Sequence, residues 1–360
     1  MRVIVSAGGT GGHIYPALAL INKIKQEEPN SEFLYIGTTD RMEHKIIPEK
    51  NIPYLGIEIS GLNRKNPFKN IKVLKKYFNS LKTIEQKMKE FKPDIVLGIG
   101  GYVTAPVIYT AKKLGYKTFI HEQNSIPGLS NKFLSKHTDK IGVSLPESVK
   151  YFPKNKVFFS GNPRSEEIMA VKPVNKKELG LKEDKKLVII VMGSQGSTTM
   201  NKKLKESLSS LKNKPYEVIF VTGKGYYDNY KDTKVSSNVK IVPYLDNMLS
   251  VLKKTDLIVS RAGASTIAEI TAIGLPSILI PSPFVTHNHQ LKNALALEEK
   301  NATVIIEEKD FTEEKLVNTI DNILNDEVKY KQLKENTYAL GIRDSASRIY
   351  REIKTLIDGE

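Results

Sequence analysis

At 360 residues, with 40% hydrophobic and 26% charged residues and no cysteine, the chain has the apolar content for two packed domains and cannot build a disulfide framework or a thiolate metal site. Its formal net charge of +15 suits phosphorylated ligands, an anionic lipid surface or nucleic acid, or reflects a lysine-rich, well-solvated exterior. No window approaches the roughly 18 apolar residues that span a bilayer, and no basic start precedes a long apolar stretch, so neither a membrane span nor a signal peptide is expected.

The first element is the strand Val3–Val5, followed at once by Gly8-Gly9-Thr10-Gly11-Gly12-His13. Pro16 is expected to open the helix that carries Ala17–Ile24. Strand, glycine loop and helix together make a helix N-terminus whose free N–H groups suit an anion. The loop lacks the G-x-G-x-x-G register of dinucleotide folds, because Ile14 stands at the third glycine, and it lacks the Lys-Ser/Thr ending of a P-loop. A tight turn alone explains one or two of the four glycines. His13 sits where a helix dipole disfavours the imidazolium. It reads either as a neutral general base for a hydroxyl or as a residue that merely orients the loop.

Strand Phe33–Ile36 comes next. Between Arg64 and Lys92 stand ten basic residues and only two acidic ones, Glu85 and Glu90. Ile71, Leu74, Phe78, Leu81, Ile84 and Met88 recur at three- and four-residue steps, which predicts an amphipathic helix. Lys72, Lys75, Lys76 and Lys82 hold its polar face, with Lys65 and Lys69 just before. Such a helix covers a sheet, or lies on an anionic membrane surface with its lysines and Phe68 among the headgroups.

Strand Ile95–Gly98 runs into Gly98-Ile99-Gly100-Gly101-Tyr102, again a strand end opening a helix, with Pro106 shortly beyond. Strand Thr118–Ile120 leads into His121, Glu122, Gln123 and Asn124, polar side chains expected at a binding cleft. Helix capping by Asn124 or Ser125 is the structural alternative. Strands Lys140–Val143 and Val157–Phe159 close the first half. Residues Gly161 to Lys186, with Pro163, Pro173 and Lys182-Glu183-Asp184-Lys185-Lys186, carry no strand and mark a domain break.

The second half restarts with Leu187–Val191 and Gly193-Ser194-Gln195-Gly196, repeating the strand, glycine loop and helix. Strands Glu217–Val221, Val239–Val242, Leu257–Val259, Ser277–Ile280 and Ala302–Ile305 follow. After Leu257–Val259 come Ser260-Arg261-Ala262-Gly263 and a helix expected to start near Ser265 or Thr266, whose N–H groups suit a diphosphate. Glu269, one turn in, either accepts hydrogen bonds from ribose hydroxyls or forms a T-x-x-E capping box with Thr266. His287 and His289 resemble a metal pair, but no carboxylate cluster accompanies them and no Asp-x-Asp motif occurs, so no metal and no cofactor are expected.

Strands alternating with helices predict βαβ units and parallel sheets. The expected fold is α/β: two Rossmann-like parallel-sheet domains, 1–163 and 164–340, facing a deep cleft. Residues 341–360 add a C-terminal helix, about Ser345–Ile357, that packs back on the N-terminal domain or on its neighbour.

Taken together, GGTGGHIYPA, GIGGYVTAP, HEQNSIPGLSNK, GNPR, MGSQGS, RAGASTIAEITAIGLPSILIP and HQLKNA, in this order and over most of the chain, resemble the MurG family of peptidoglycan glycosyltransferases. The resemblance implies a GT-B fold, with UDP-N-acetylglucosamine (UDP-GlcNAc) bound mainly in the C-terminal half and an undecaprenyl-diphosphate-linked acceptor in the N-terminal half. It implies an inverting hexosyltransferase that moves GlcNAc to the 4-hydroxyl of undecaprenyl-diphospho-muramoyl-pentapeptide. Such an enzyme sits peripherally on the cytoplasmic face of the cell membrane and serves peptidoglycan synthesis, and through it cell shape and division.

By the same resemblance, Thr10, Gly11 and Gly12 lie by the sugar nucleotide and the acceptor diphosphate, and Asn124 by the GlcNAc. Ser194 meets the diphosphate and the Leu245 backbone meets the uracil. Arg261 and Gly263 lead into Ala264, Ser265, Thr266 and Glu269, which wrap the nucleotide with Glu269 on the ribose, and Gln290 stands near the sugar. His13 corresponds to the base, assisted or replaced by Glu122. The sequence departs from the family at Gly161-Asn162-Pro163-Arg164-Ser165, where G-N-P-V-R is usual, so either Arg164 or Ser165 fills the donor-contact position. Met192-Gly193 stands for two glycines, and Asn288-His289 for Arg-Gln or Asp-Gln. The rival readings are a UDP-GlcNAc 2-epimerase, which shares the fold, or another GT-B lipid glycosyltransferase. No nucleic-acid partner is expected, because no module of base-stacking aromatics interleaved with basic residues appears.

Overall fold

The computed structural model describes residues 1–59, 70–285 and 288–359, the side chains of 70–75 excepted. Arg64, Lys65, Phe68 and Lys69, the side chains of Ile71, Lys72, Leu74 and Lys75, and His287 therefore lie outside the described residues. The chain divides into two compact units, Met1–Arg164 with Asp344–Glu360, and Ser165–Arg343.

The first unit runs through β1 (Arg2–Ser6), α1 (Gly11–Glu27), β2 (Glu32–Thr38), α2 (Glu43–Ile46), β3 (Tyr54–Ile57), α3 (Asn70–Phe91), β4 (Ile95–Gly98), α4 (Thr104–Lys113), β5 (Lys117–Glu122), α5 (Leu129–Leu134), β6 (Lys140–Val143) and β7 (Val157–Phe159). From α6 (Arg164–Ala170) the second unit continues with β8 (Lys186–Val191), α7 (Thr198–Ser207), β9 (Tyr216–Val221), β10 (Val239–Val242), α8 (Met248–Leu252), β11 (Leu257–Ser260), α9 (Ala264–Ile273), β12 (Ser277–Leu279), α10 (His289–Glu298), β13 (Val304–Ile305), α11 (Glu313–Asn325) and α12 (Glu327–Ala339). The last helix, α13 (Ser345–Asp358), belongs to the first unit and packs on α1.

Among the described residues each unit holds one all-parallel sheet, ordered β3-β2-β1-β4-β5-β6-β7 in the first and β10-β9-β8-β11-β12-β13 in the second. Both orders reverse direction beside the unit's first strand, at β1/β4 and at β8/β11. Loops leaving those two strand ends diverge to opposite faces and open a crevice, the switch point where α/β sheets bind ligands.

The sequence dictates this layering because parallel strands buried on both faces must be apolar throughout. In β1, Val3 and Val5 join the core on one face and Ile4 the core on the other. In β8, Val188 and Ile190 oppose Leu187, Ile189 and Val191 in the same way.

Three expectations are corrected. Strand β3 was not foreseen: it is an edge strand of four residues, YLGI, with only Ile57 buried, so it lacks the apolar run that marks the others. Helix α1 begins at Gly11 rather than at Pro16, which lies inside it, so the glycine loop itself supplies the first turn. In α3, Phe78 is 64% exposed while Ser80 is buried and donates to the Glu58 carbonyl at 3.0 Å. The apolar stripe at Ile84 and Met88, both fully buried, does not extend to Phe78.

Candidate active site

In the first unit the chain leaves β1 at Ser6 and turns into α1 through Gly8–Thr10. Thr10 is the N-cap residue, with extended backbone and no side-chain cap bond, so Gly11, Gly12 and His13 form the first helical turn, whose N–H groups point out of the helix. The loop after β4 packs directly on it. Gly8 N–H donates to the Gly100 carbonyl at 3.2 Å. A Cβ on Gly101, whose φ is +92°, would lie 2.5 Å from the Gly8 carbonyl oxygen. Only glycine permits that approach.

His13 is half-buried, and its Nδ1 lies 3.0 Å from the Gly8 carbonyl oxygen. A carbonyl only accepts, so Nδ1 carries the hydrogen, and the neutral ring keeps its lone pair on Nε2. One backbone contact thus sets the tautomer a general base requires.

Beneath this loop lies Glu43, fully buried at the start of α2. Its carboxylate accepts hydrogen bonds from Gly9 N–H at 3.0 Å, Thr38 N–H at 3.1 Å and the Thr38 hydroxyl at 2.8 Å. Sequence reasoning passed over Glu43, because its partners stand up to 34 positions away and no local pattern marks it.

The residues after β5 lie close together, tied to one another by hydrogen bonds. Glu122 is buried, and its two oxygens accept from Asn124 N–H and Gly128 N–H at 2.9 and 3.0 Å and from the side-chain amides of Asn124 and Asn131 at 3.3 and 2.8 Å. Four donors occupy the carboxylate, so Glu122 shapes the Asn124–Gly128 loop rather than offering an oxygen to a substrate proton. Neither Asn124 nor Ser125 caps a helix, since α5 starts at Leu129 behind Gly128.

His121 is fully buried, and its Nε2–H donates to the Gly161 carbonyl at 3.0 Å. Burial holds its pKa down at about 4, so the ring is neutral. Arg164, the last residue of the first unit, is buried with its guanidinium 5.3 Å from the centre of the Tyr15 ring. Ser165, the first residue of the second unit, is buried as well.

In the second unit the loop after β8 exposes Ser194. Gly196 (φ +79°) packs against the turn after β9, where a Cβ would meet the Thr222 carbonyl at 2.1 Å. After β11, α9 starts at Ala264 with Gly263 as its N-cap. Thr266 is therefore the third helical residue, and the capping-box alternative for Thr266 and Glu269 is not realised: no side chain caps this helix. Gly263, Ala264, Ser265 and Thr266 are half-exposed around an open helix N-terminus, with Glu269 buried one turn in.

Arg261 faces inward instead. Its guanidinium donates to the Ile280 carbonyl at 3.1 Å and to Ser197 Oγ at 3.2 Å, and pairs with Glu308 at 2.8 Å. It ties the ends of β11 and β12 to the start of α7 and leaves little for a ligand. Gln290 Oε1 accepts from Ser282 N–H at 2.9 Å, which leaves its amide hydrogens for other partners. The Leu245 side chain is buried.

Comparison with known proteins agrees with this arrangement. Residues 3–143 match the glycosyltransferase family 28 N-terminal domain and residues 187–349 the glycosyltransferase family 28 C-terminal domain. The chain is 44% identical, over 99% of both chains, to the UDP-N-acetylglucosamine–N-acetylmuramyl-(pentapeptide) pyrophosphoryl-undecaprenol N-acetylglucosamine transferase of Bacillus subtilis (strain 168). The crystal structure of Acinetobacter baumannii MurG superposes with a TM-score of 0.74 at 25% identity, covering 98% of this chain and 99% of that one. A UDP-N-acetylglucosamine 2-epimerase structure from Listeria monocytogenes shares the fold at a TM-score of 0.72 and 14% identity, over 100% and 97% of the two chains. Two Rossmann-like domains, each with an open helix N-terminus at its switch point, and matches over both halves make this chain a member of glycosyltransferase family 28, an enzyme of the MurG type.

Proposed function

We propose that the chain transfers GlcNAc from UDP-GlcNAc to the 4-hydroxyl of an undecaprenyl-diphosphate-linked muramoyl-pentapeptide, the reaction for which its Bacillus subtilis relative is named. The observation that carries this reading is His13, whose Nδ1–H is committed to Gly8 and whose Nε2 is left as a base beside the first turn of α1. Nε2 takes the proton of the acceptor hydroxyl as that oxygen bonds to the anomeric carbon. The bond from that carbon to the diphosphate breaks, its electron pair leaves on UDP, and a single displacement inverts the configuration.

The donor binds the second unit. Amides of Ala264, Ser265 and Thr266 at the start of α9, together with Ser194, meet the charge that builds on the departing diphosphate. Glu269 holds the ribose and Gln290 the sugar, and Arg164 or Ser165 adds a further donor contact. The acceptor diphosphate meets Thr10, Gly11 and Gly12, and Asn124 is oriented by Glu122 toward the GlcNAc.

The enzyme acts peripherally at the cytoplasmic membrane face. Among the described residues no helix is long and apolar enough to cross a membrane. Instead α3, α4 and α5 lie side by side and leave Phe78, Tyr109, Leu129 and Phe133 exposed. Tyr109, Phe133 and His137 form one ring cluster with centroids 5.1 to 6.1 Å apart. Lys132 and Lys150 flank the exposed ring of Tyr151 at 5.7 and 5.3 Å. Aromatic rings beside lysines suit the boundary of an anionic bilayer.

A transfer assay with UDP-GlcNAc and a lipid-linked muramoyl acceptor tests the reading. Wild-type protein is expected to form the disaccharide, and His13→Ala to lose on the order of 10²-fold or more in kcat. Epimerisation of UDP-GlcNAc without acceptor, or an unchanged His13→Ala, overturns it.

A further inference from the structure

The side-chain oxygen of Gln123 is buried without a hydrogen-bond partner among the described residues, in a residue only 2% exposed. Leaving a buried amide oxygen unpaired forfeits its hydration without return, so its retention calls for a reason. Its direction is not free. The Gln123 amide nitrogen donates to the Ile99 carbonyl at 2.6 Å and to His121 Nδ1 at 3.1 Å. The Ile99 carbonyl can only accept, so nitrogen and oxygen cannot be exchanged. His121 Nδ1 accepts because Nε2 holds the hydrogen given to Gly161, and burial keeps that ring neutral, with a pKa of about 4. Three groups in series therefore aim one oxygen.

Its target is defined by Gly100. A Cβ on Gly100, whose φ is +110°, would lie 3.1 Å from Gln123 Oε1, 3.0 Å from His13 Nε2 and 2.5 Å from His13 Cδ2. The unpaired oxygen and the lone-pair edge of His13 thus face the same gap, which stays open because residue 100 has no side chain.

We propose that Gln123 is a positioning residue for His13: its carbonyl dipole stabilises the positive charge the imidazole acquires when Nε2 takes the acceptor proton. Against the neutral ring the oxygen gains little. Against the imidazolium it gains a charge–dipole contact, so the benefit falls on the transition state rather than on the bound substrates. Gln123 exchanges no atom in this step. The proposal rests on His13 being the base.

The test is a double-mutant cycle on the full chain with UDP-GlcNAc and a lipid-linked muramoyl acceptor. Gln123→Met keeps the length and removes the oxygen. It is expected to lower kcat about tenfold with both KM values within about twofold, and to cause no further loss in a His13→Ala background. An equal loss in that background, or a rise in KM at unchanged kcat, shows that Gln123 only orders its loop and overturns the proposal. A His13→Ala variant with wild-type kcat defeats the base assignment itself and is distinguishable from both. If Gln123→Met does not fold, judged by circular dichroism and UDP binding, Gln123→Asn takes its place with the same expectations. It keeps an amide but withdraws the oxygen by one methylene.

Discussion

Glu43 and His121 are both buried beside the first glycine loop, and the fold treats them differently. Glu43 keeps three donors around its carboxylate and, together with Tyr54 at Gly37, crowds two glycines. A Cβ on Gly8 would come within 2.4 Å of Glu43 Oε1, and one on Gly37 within 2.7 Å of Glu43 Cγ. Burial first, and then the charge of Glu43, push the Tyr54 hydroxyl above its ordinary range. His121 is instead held neutral by burial, with a pKa of about 4 against the ordinary histidine value of about 6.5. Below pH 6.5 the unfolded chain binds a proton there that the folded chain refuses until about pH 4, so stability falls as pH drops through that window. The expected loss from this residue is about 2 kcal/mol by pH 5. Urea unfolding at pH 7 and pH 5 should show a larger drop for wild type than for His121→Gln. Equal drops would mean that His121 titrates normally in the folded protein.

At the scale of elements, the helix starts decide where ligands can bind. Helices α1 and α9 begin behind Thr10 and Gly263 with no side chain on their first N–H groups, whereas α7, α11 and α12 are capped by Ser197, Thr312 and Asp326. Both uncapped starts, of α1 and α9, lie beside the switch points of their sheets. Helix α13 carries the opposite message. Its Ile349 and Ile353 are fully buried in the core of the first unit. Its polar edge meets Glu28 through Tyr350 at 3.1 Å and Lys354 at 3.1 Å. The C-terminal helix is thus part of the first unit's core rather than an appendage. Ile353→Ala is expected to destabilise that unit by about 2–5 kcal/mol, read from its denaturant midpoint. A loss below about 1 kcal/mol would show that α13 packs loosely.

For the whole molecule, the charge of +15 acquires meaning only through its placement. Lys132, Lys136 and Lys150 are exposed around Leu129, Phe133 and Tyr151, so charge and apolar surface share one face of the first unit. Each apolar side chain moved into lipid contributes about 1.5–3 kcal/mol, and each lysine near an anionic surface about 1 kcal/mol. Replacing both Leu129 and Phe133 by serine should therefore lower partition onto vesicles containing anionic lipid by about tenfold or more, while turnover of a soluble acceptor analogue stays unchanged. Cosedimentation measures the first and a transfer assay the second. Unchanged partition would remove this face as the membrane contact.

The repeated strand–glycine–helix pattern was legible in the sequence, since apolar runs such as LVIIV and glycines after them are local features that report local structure. The two-domain α/β class, most strands and the glycine loops all followed from it. Roles were a different matter. Glu122 faces four N–H donors and Arg261 is committed to Glu308, although each stands where a role in the site was expected. Which partner a polar side chain meets depends on strands brought together by the sheet order: Gly9 with Glu43 across 34 positions, Gln123 with Ile99 across 24, His121 with Gly161 across 40. The sequence by itself determined the elements and the positions of the loops, because periodicity and glycine act over a few residues. Only the tertiary structure decided which groups are paired and which are left to do chemistry, because hydrogen bonds are short and join residues that the chain keeps far apart.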